Sequence, residues 1–129
     1  MRVFKNAWFE RFAHKQGIAD KTLLEAIECA ERGLIDADLG GGVIKQRVAR
    51  PGQGKSGGFR TIILYRVAER AFFVYGFAKS GRDNIDGNEE AEFKKAAAHV
   101  LELSEAHLAK LVEAKQFTEV RNHGEEIPE

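Results

Sequence analysis

The chain has 129 residues, 43% of them hydrophobic and 31% charged, which predicts one globular domain and argues against a disordered chain. No apolar run approaches the roughly 20 residues that cross a bilayer, and residues 1–5 lack a secretion-signal pattern. The single cysteine, Cys29, cannot form an internal disulfide. We therefore expect a cytoplasmic protein without a membrane partner, forming one domain over residues 1–129 with a flexible tail at 121–129.

The formal net charge of zero conceals an uneven distribution of charge along the chain. Residues 43–82 carry nine Lys and Arg and one Glu, a net charge of +8. Residues 1–42 carry −1 and residues 83–129 carry −7. A basic centre followed by an acidic end favours a polyanionic ligand at the centre. Pairing of the acidic end with the basic centre inside the fold is the alternative.

The first third of the chain predicts a strand and two helices. Residues 1–5 alternate in polarity and predict an edge strand. Residues 7–15 carry aromatic side chains at helical spacing, and a second apolar face follows from Asp20, a good N-cap residue. The Gly- and Asp-rich stretch over residues 36–42 predicts a loop.

The remainder predicts three strands and then two helices. Residues 43–49, 59–67 and 71–78 are rich in β-branched and aromatic side chains, and the last two runs predict an antiparallel hairpin. Residues 89–103 and 104–117 show helical periodicity. The predicted fold class is α+β: an antiparallel sheet of about four strands with two N-terminal helices and C-terminal helices packed on it.

Residues 49–56 (Ala-Arg-Pro-Gly-Gln-Gly-Lys-Ser) fit a relaxed version of the phosphate-binding loop of nucleotide hydrolases. That loop works because a helix begins at its Lys-Ser and directs backbone amides at phosphate. Here Gly57, Gly58 and a β-branched run follow, which predicts a strand instead. We therefore interpret residues 50–58 as a flexible connection that carries Lys55.

Five cations of the basic segment are positioned by the predicted strands. Lys45 and Arg47 are two residues apart, so both side chains leave the same face of their strand. Arg60 opens the next strand, and Lys79 and Arg82 close the last one. Like charges are not buried together without a partner, so this cluster is expected to face water and a phosphodiester. A basic face used only for docking is the alternative.

The aromatic residues of the last predicted strand are mainly expected in the core. Alternation places Phe73, Tyr75 and Phe77 on one face and Phe72 on the other. Phe77, close to Lys79, is the best candidate for stacking on a base. The histidines all lie outside the basic segment and form no metal-binding pair, so we expect no metal and no cofactor.

Two stretches resemble the RelE/HigB family of bacterial toxins from toxin–antitoxin operons. The first runs from Ile44-Lys45-Gln46-Arg47-Val48 to Gly58-Phe59-Arg60, and the second runs from Phe73 to Arg82. The loop over residues 48–61 is also similar to a subfamily with a longer loop. The resemblance covers the chain through about Leu103.

The resemblance implies a single RelE-like toxin domain that cuts mRNA on the ribosome as a metal-independent endoribonuclease. It also implies neutralisation by a cognate antitoxin, expected to be a helix-turn-helix protein. Cleavage would proceed by attack of a 2′-hydroxyl on the adjacent phosphate, which needs a proton acceptor and cations at the phosphate oxygens.

The residues of the basic segment fit these roles as follows. Because Arg stays protonated, the general base would be a lysine, Lys45 or Lys55. Three further cations would stabilise the phosphate: Arg47, Arg60 and Lys79. Additional contacts to RNA would come from Arg50, Phe77 and Arg82.

Ser80 and Asp86 stand where family members usually carry an Arg and an aromatic residue. Two other functions also stay open, apart from these departures. One is inhibition of DNA gyrase, as in the ParE branch of the same fold. The other is a non-catalytic RNA-binding module.

Overall fold

The computed structural model describes residues 1–50, 52 and 54–121, and for residues 54–56 it describes the backbone alone. Within these ranges ten elements follow one another: β1 (Arg2–Asn6), α1 (Ala7–Gln16), α2 (Asp20–Glu31), β2 (Ala37–Gly40), β3 (Val43–Arg50), β4 (Gly54–Arg66), β5 (Arg70–Ala78), α3 (Gly87–Val100), α4 (Glu105–Glu113) and β6 (Phe117–Val120). The predicted α+β class is confirmed. Beyond Arg121 the predicted tail lies outside the described residues, and the single-domain organisation stays a prediction.

The described strands form one sheet in the order β2-β3-β4-β5-β1-β6. β1 and β5 are parallel, and the other neighbours are antiparallel. The predicted loop over residues 36–42 is wrong at Ala37–Gly40, which form β2. The predicted helix over residues 104–117 is wrong at its end, because β6 begins at Phe117. Each of these strands has only four residues, too few for a clear alternation, so pairing with β3 and β1 decides their conformation.

β1 is an interior strand of the sheet, and the prediction of an edge strand is wrong. It lies between β5 and β6, with Val3 opposite both Ala71 and Val120. Val3 and Phe4 point to opposite faces of the strand, and both are buried. Both faces of the sheet are covered at this strand, which explains why two consecutive side chains are apolar. Among the described residues, no helix is both long enough and apolar enough to cross a membrane.

Helices pack on both faces of the sheet. α1 and α2 cover one face through a cluster that includes Phe9, Leu23 and Phe59. α3 and α4 pack on the opposite face through a cluster that includes Phe72 and Leu108. Because most of both faces is covered, functional polar side chains on the central strands can reach solvent only where a helix leaves the sheet open.

A β-bulge at Val74 changes which aromatic side chains of β5 share a face. The residues before and after Val74 pair with consecutive residues of β4, so Val74 is an extra residue that reverses the alternation. The prediction that Phe73, Tyr75 and Phe77 share one face is therefore wrong. Phe73 belongs to the cluster under α1 and α2, whereas Tyr75 and Phe77 pack in the cluster under α3.

α2 begins differently from the prediction. Its N-cap is Ala19, which provides no side-chain cap, and Asp20 is already helical. The Asp20 carboxylate instead accepts a hydrogen bond of 3.0 Å from Nζ of Lys5, which also pairs with Glu10 at 2.7 Å. Burial opposes the charge of Lys5, but hydrogen bonds to Glu10 and Asp20 raise its pKa. The need to pair a buried ammonium group outweighs the capping preference.

Glu105, the first residue of α4, attaches that helix to the sheet. Its carboxylate accepts hydrogen bonds from Nη1 of Arg2 at 2.7 Å and from Nη2 of Arg70 at 2.9 Å. Arg70 is only 8% exposed and also donates to the carbonyl of Leu103 at 2.6 Å. The hydrogen bond from Arg70 is the main cause that lowers the pKa of Glu105.

Replacing Glu105 with Gln is expected to make stability less dependent on pH on the acid side. The folded-state pKa of Glu105 lies below the unfolded value of 4.5, so its contribution is present above that value and is lost as pH falls through the folded-state pKa. Urea unfolding between about pH 6 and about pH 3 measures this effect. Glu113→Gln, at the exposed end of the same helix, is the control. Parallel curves for E105Q and wild type would contradict the prediction.

Candidate functional site

Three cations of the basic segment lie on the face of the sheet that carries α3. Two adjacent rows of paired residues cross β3, β4 and β5: Lys45–Ile62–Tyr75 and Arg47–Arg60–Phe77. Directly opposed residues on neighbouring strands point to the same face. The predicted common face of Lys45 and Arg47 is therefore confirmed, and Arg60 shares it. We call these three cations together, Lys45 from the first row and Arg47 and Arg60 from the second, the basic row.

α3 covers only part of this face. At its C-terminal end Leu101 lies against Gly42, which precedes β3, and midway along the helix the ring of Phe93 lies 5.9 Å from that of Tyr75. β3 begins directly after Gly42 and extends away from it. Arg47 therefore lies farther than Lys45 from the part of the face that the C-terminal end of α3 covers. The basic row therefore lies beside the first turns of α3, where Arg47 is exposed.

Arg60 carries a buried guanidinium nitrogen that lacks a hydrogen-bond partner. Nη1 is inaccessible to solvent, and nothing in the described part of the chain accepts its hydrogens. A charged group partly removed from water without a partner is unfavourable. Because Arg60 as a whole is only partly buried, an anion beside its guanidinium would offset that cost. A phosphate oxygen is a suitable acceptor, because charge-assisted hydrogen bonds from guanidinium to phosphate are strong.

Asp36 holds the neighbouring Arg47 in place. One carboxylate oxygen accepts the backbone N–H of Arg47 at 2.6 Å, and the other lies 3.9 Å from Nε of its guanidinium. This ion pair is half exposed, so it is weak and open to exchange with another anion. Arg47 can therefore turn to a ligand without a large loss of stability.

Gln46 lies between Lys45 and Arg47 and points to the opposite face, where it is 2% exposed. Its Nε2 donates to the carbonyls of Ala26 and Leu34, both at 3.0 Å. Its Oε1 accepts the backbone N–H of Asp36 at 3.0 Å. Gln46 thus fixes the segment between α2 and β2 and thereby places Asp36 beside the basic row.

Arg82 is paired with α3 rather than free. Its guanidinium donates to Glu89 at 2.6 Å and to the hydroxyl of Tyr75 at 3.0 Å. The hydrogen bond with Glu89 is the main cause that raises the pKa of Arg82, and it lowers the pKa of Glu89, so both stay charged. The role of Arg82 in contacting RNA stays a prediction, and in this structure Glu89 already balances its charge.

Phe77 does not offer a free face for stacking. It is 6% exposed, and the guanidinium of Arg82 lies 5.5 Å from its ring centroid. The ring of Tyr75 lies 6.1 Å away on the same face of the sheet. That a base stacks on Phe77 stays a prediction, and in this structure Arg82 and neighbouring side chains cover the ring.

The other predicted site residues are more dispersed. Arg50 places its guanidinium 5.3 Å from the ring of Phe59, which belongs to the cluster under α1 and α2, so it does not join the basic row. Lys79 is exposed directly after β5. The side chain of Lys55 lies outside the described atoms. Its backbone belongs to β4, so the predicted flexible connection over residues 50–58 is wrong from Gly54 onward. No helix begins at Lys55, as a nucleotide-binding loop would require.

Several residues around the basic row were not identified from the sequence: Asp36, Tyr75, Asn84 and Glu89. A signal existed for Glu89, because Asp86 and Glu89 have the spacing of a capping box at the start of α3. The structure contains that box, with each side chain accepting the other residue's backbone N–H. No comparable signal existed for Asn84, which contacts Lys45 across 39 residues of sequence.

Comparison with known proteins shows to which family the chain belongs. The family model described as the RelE toxin of the RelE / RelB toxin–antitoxin system matches residues 1–120. The chain belongs to the RelE toxin family. The match extends beyond the stretches that carried the resemblance and includes every element through β6. No curated protein matches the chain significantly.

Membership in the RelE family makes this chain a toxin of a toxin–antitoxin system, and it implies an antitoxin partner. Within the described ranges, no three His, Cys, Asp or Glu side chains come together as metal ligands. Cleavage without a metal stays a prediction.

Proposed function

We propose that this RelE-family toxin is an endoribonuclease that cuts mRNA on the ribosome, without a metal, in the cytoplasm. We further propose that it acts as a single domain over residues 1–129 and that a helix-turn-helix antitoxin neutralises it. The observation that carries the proposal is the basic row, in which the buried Nη1 of Arg60 lacks a partner beside Lys45 and the exposed Arg47.

The reaction that suits such a site is in-line transesterification. The 2′-oxygen of one nucleotide attacks the adjacent phosphorus, and a new O2′–P bond forms as the P–O5′ bond breaks. Lys45, in its uncharged form, accepts the proton of the 2′-hydroxyl, and the leaving 5′-oxygen takes a proton from water. The products are a 2′,3′-cyclic phosphate and a 5′-hydroxyl end.

The arginines stabilise the charge that develops during this reaction. Arg60 and Arg47 hydrogen-bond the equatorial phosphate oxygens, on which negative charge grows in the transition state. Lys79, exposed after β5, adds positive charge where the RNA continues. Lys55 remains a second candidate for the base.

Dependence on the ribosome follows from what the site provides. Arg82 engages both aromatic side chains of the two rows, Tyr75 and Phe77, which are therefore not free to hold a base. The basic row supplies charge to the phosphate but little orientation to the nucleotides. Orientation has large catalytic value, and a ribosome that holds the codon in a fixed conformation can supply it.

Cleavage of a defined mRNA tests the proposal. The purified toxin is incubated with the mRNA alone and with the same mRNA bound to ribosomes, and the products are mapped by primer extension. We expect cuts within the codon only when ribosomes are present. Intact mRNA together with inhibited DNA gyrase would overturn the proposal in favour of the ParE-like activity, and binding without cleavage would reduce the protein to an RNA-binding module.

A further inference from the structure

Asn84 lies between β5 and α3, and its side-chain oxygen accepts two hydrogen bonds. Oδ1 accepts the backbone N–H of Ile85 at 2.9 Å and Nζ of Lys45 at 3.2 Å. Because both partners are donors, the oxygen of the amide group and not its nitrogen must face them. The orientation of the Asn84 side chain is therefore determined by its surroundings.

The backbone that carries Asn84 is held at two further points. Nε of Arg82 donates to the carbonyl of Asn84 at 2.9 Å, and the same guanidinium is paired with Glu89 on α3. Ile85, the next residue, is 9% exposed and packs in the cluster under α3. Asn84 thus presents its oxygen to Lys45 from a backbone that an ion pair and an apolar anchor both restrain.

Charged groups surround Lys45 on each neighbouring element, and most of them are already engaged: Asp36 on the β2 side, Arg47 and Arg60 in the basic row, and Arg82, Asp86 and Glu89 on the α3 side. Asp83 is exposed directly before Asn84, and Asp38, opposite Ile44, points to the other face of the sheet. Asp36 is bound by Arg47, Asp38 accepts the N–H of Gly40, and Glu89 is bound by Arg82. In the described part of the chain no carboxylate forms an ion pair with Lys45. Its ammonium group is held by a neutral acceptor.

We propose that Asn84 is a positioning residue, whose neutral side-chain oxygen aims Nζ of Lys45 at the reacting 2′-hydroxyl. This inference rests on the proposed function, with Lys45 as the general base. A carboxylate at the same place would hold the ammonium too, but it would favour the charged form, which cannot accept a proton. An amide oxygen orients the lysine and leaves it able to act as a base.

Two substitutions of Asn84 separate orientation from charge. In Asn84→Asp the acceptor stays and a charge is added, so we expect the acidic limb of the pH–rate profile to move up by about one pH unit. The single-turnover rate on that limb then falls about tenfold and recovers at higher pH. In Asn84→Ala the acceptor is lost, and we expect a rate about tenfold lower without an upward shift of the limb.

Asn88→Asp provides a matched control. Asn88 is exposed in the first turn of α3, so the change adds the same charge nearby without contacting Lys45. We expect its pH–rate profile to match that of the wild type. If N84D and N84A cut mRNA with the wild-type profile, or if N88D shifts the profile as much as N84D, Asn84 has no positioning role.

A measurement that needs no cleavage distinguishes failure of this inference from failure of the proposed function. NMR titration of the Lys45 side chain, assigned with the help of a Lys45→Arg variant, reports its protonation directly. We expect the midpoint to be higher in N84D than in wild type and unchanged in N88D. If wild type does not cut mRNA, the proposed function fails, and equal midpoints in wild type and N84D would overturn the contact on which positioning depends.

Discussion

Replacing Arg60 with alanine is expected to lower the rate of mRNA cleavage on programmed ribosomes by about 10²–10³-fold. Nη1 of Arg60 is buried without a partner and belongs to the row that receives the phosphate. Removing it withdraws a preorganised donor from the charge that develops in the transition state. Arg47 and Lys79 still attract RNA, so the loss should appear mainly in the single-turnover rate rather than in binding.

The same substitution is not expected to destabilise the fold. The guanidinium of Arg60 contributes a buried, unpaired polar atom, and its removal relieves the cost of desolvation. Urea unfolding should therefore give a free energy of unfolding equal to or above that of wild type. Such a residue, whose replacement lowers activity but keeps or raises stability, illustrates the trade-off between stability and function in active sites.

Arg66→Ala is the matched control for Arg60. Arg66 lies on the same strand, but it forms exposed ion pairs with Glu69 and Glu102 at the other end of β4. Exposed pairs contribute up to about 1 kcal/mol, so this variant should fold and cut mRNA like wild type. Equal cleavage rates for R60A and R66A would remove Arg60 from the site. Unfolding of R60A would contradict the expected effect on stability.

Replacing Gln46 with leucine is expected to lower the free energy of unfolding by about 3 kcal/mol. The volume of the side chain changes little, but its hydrogen bonds to Ala26, Leu34 and Asp36 are lost. The carbonyl groups and the N–H of these residues then lack a partner in a largely buried place, and each such loss costs about 1–3 kcal/mol. Partial access of water to the segment before β2 keeps each loss near the lower end of that range, so the three losses together amount to about 3 kcal/mol.

Urea unfolding of Q46L against wild type measures this effect. Gln116→Leu is the control, because Gln116 is exposed before β6 and substitutions at exposed positions change stability by about 0.5 kcal/mol or less. A loss of stability below about 1 kcal/mol would show that Gln46 does not anchor this segment.

The sequence by itself determined the central part of this protein. The β-branched and aromatic runs that became β3, β4 and β5, the hairpin between β4 and β5, and the helical faces of α1 to α4 are local patterns. The same kind of pattern placed Lys45 and Arg47 on one face, because residues two positions apart on an undistorted strand share a face. The run of glycines before Phe59 excluded a nucleotide-binding loop for an equally local reason.

Only the tertiary structure decided which strands are inside the sheet and how they are registered. β2 and β6 are too short to be recognised by alternation, and they form because β3 and β1 each have a free edge with which they can pair. The extra residue at Val74 reverses the faces of β5, and periodicity carries no sign of it. Asp20 lies in α2 rather than capping it, because the buried Lys5 needs its carboxylate.

The tertiary structure also decided which of the predicted cations are free to meet a ligand. The sequence counted Arg50 and Arg82 with the rest, but Arg50 lies over a ring of the opposite cluster and Arg82 is balanced by Glu89. Arg60 is left with a buried nitrogen that lacks a partner. Lys45 is held by Asn84, which lies just beyond the opposite end of the basic segment over residues 43–82. The type of side chain shows that a charge exists, but only its neighbours in space, which are far apart in sequence, determine whether that charge is already neutralised.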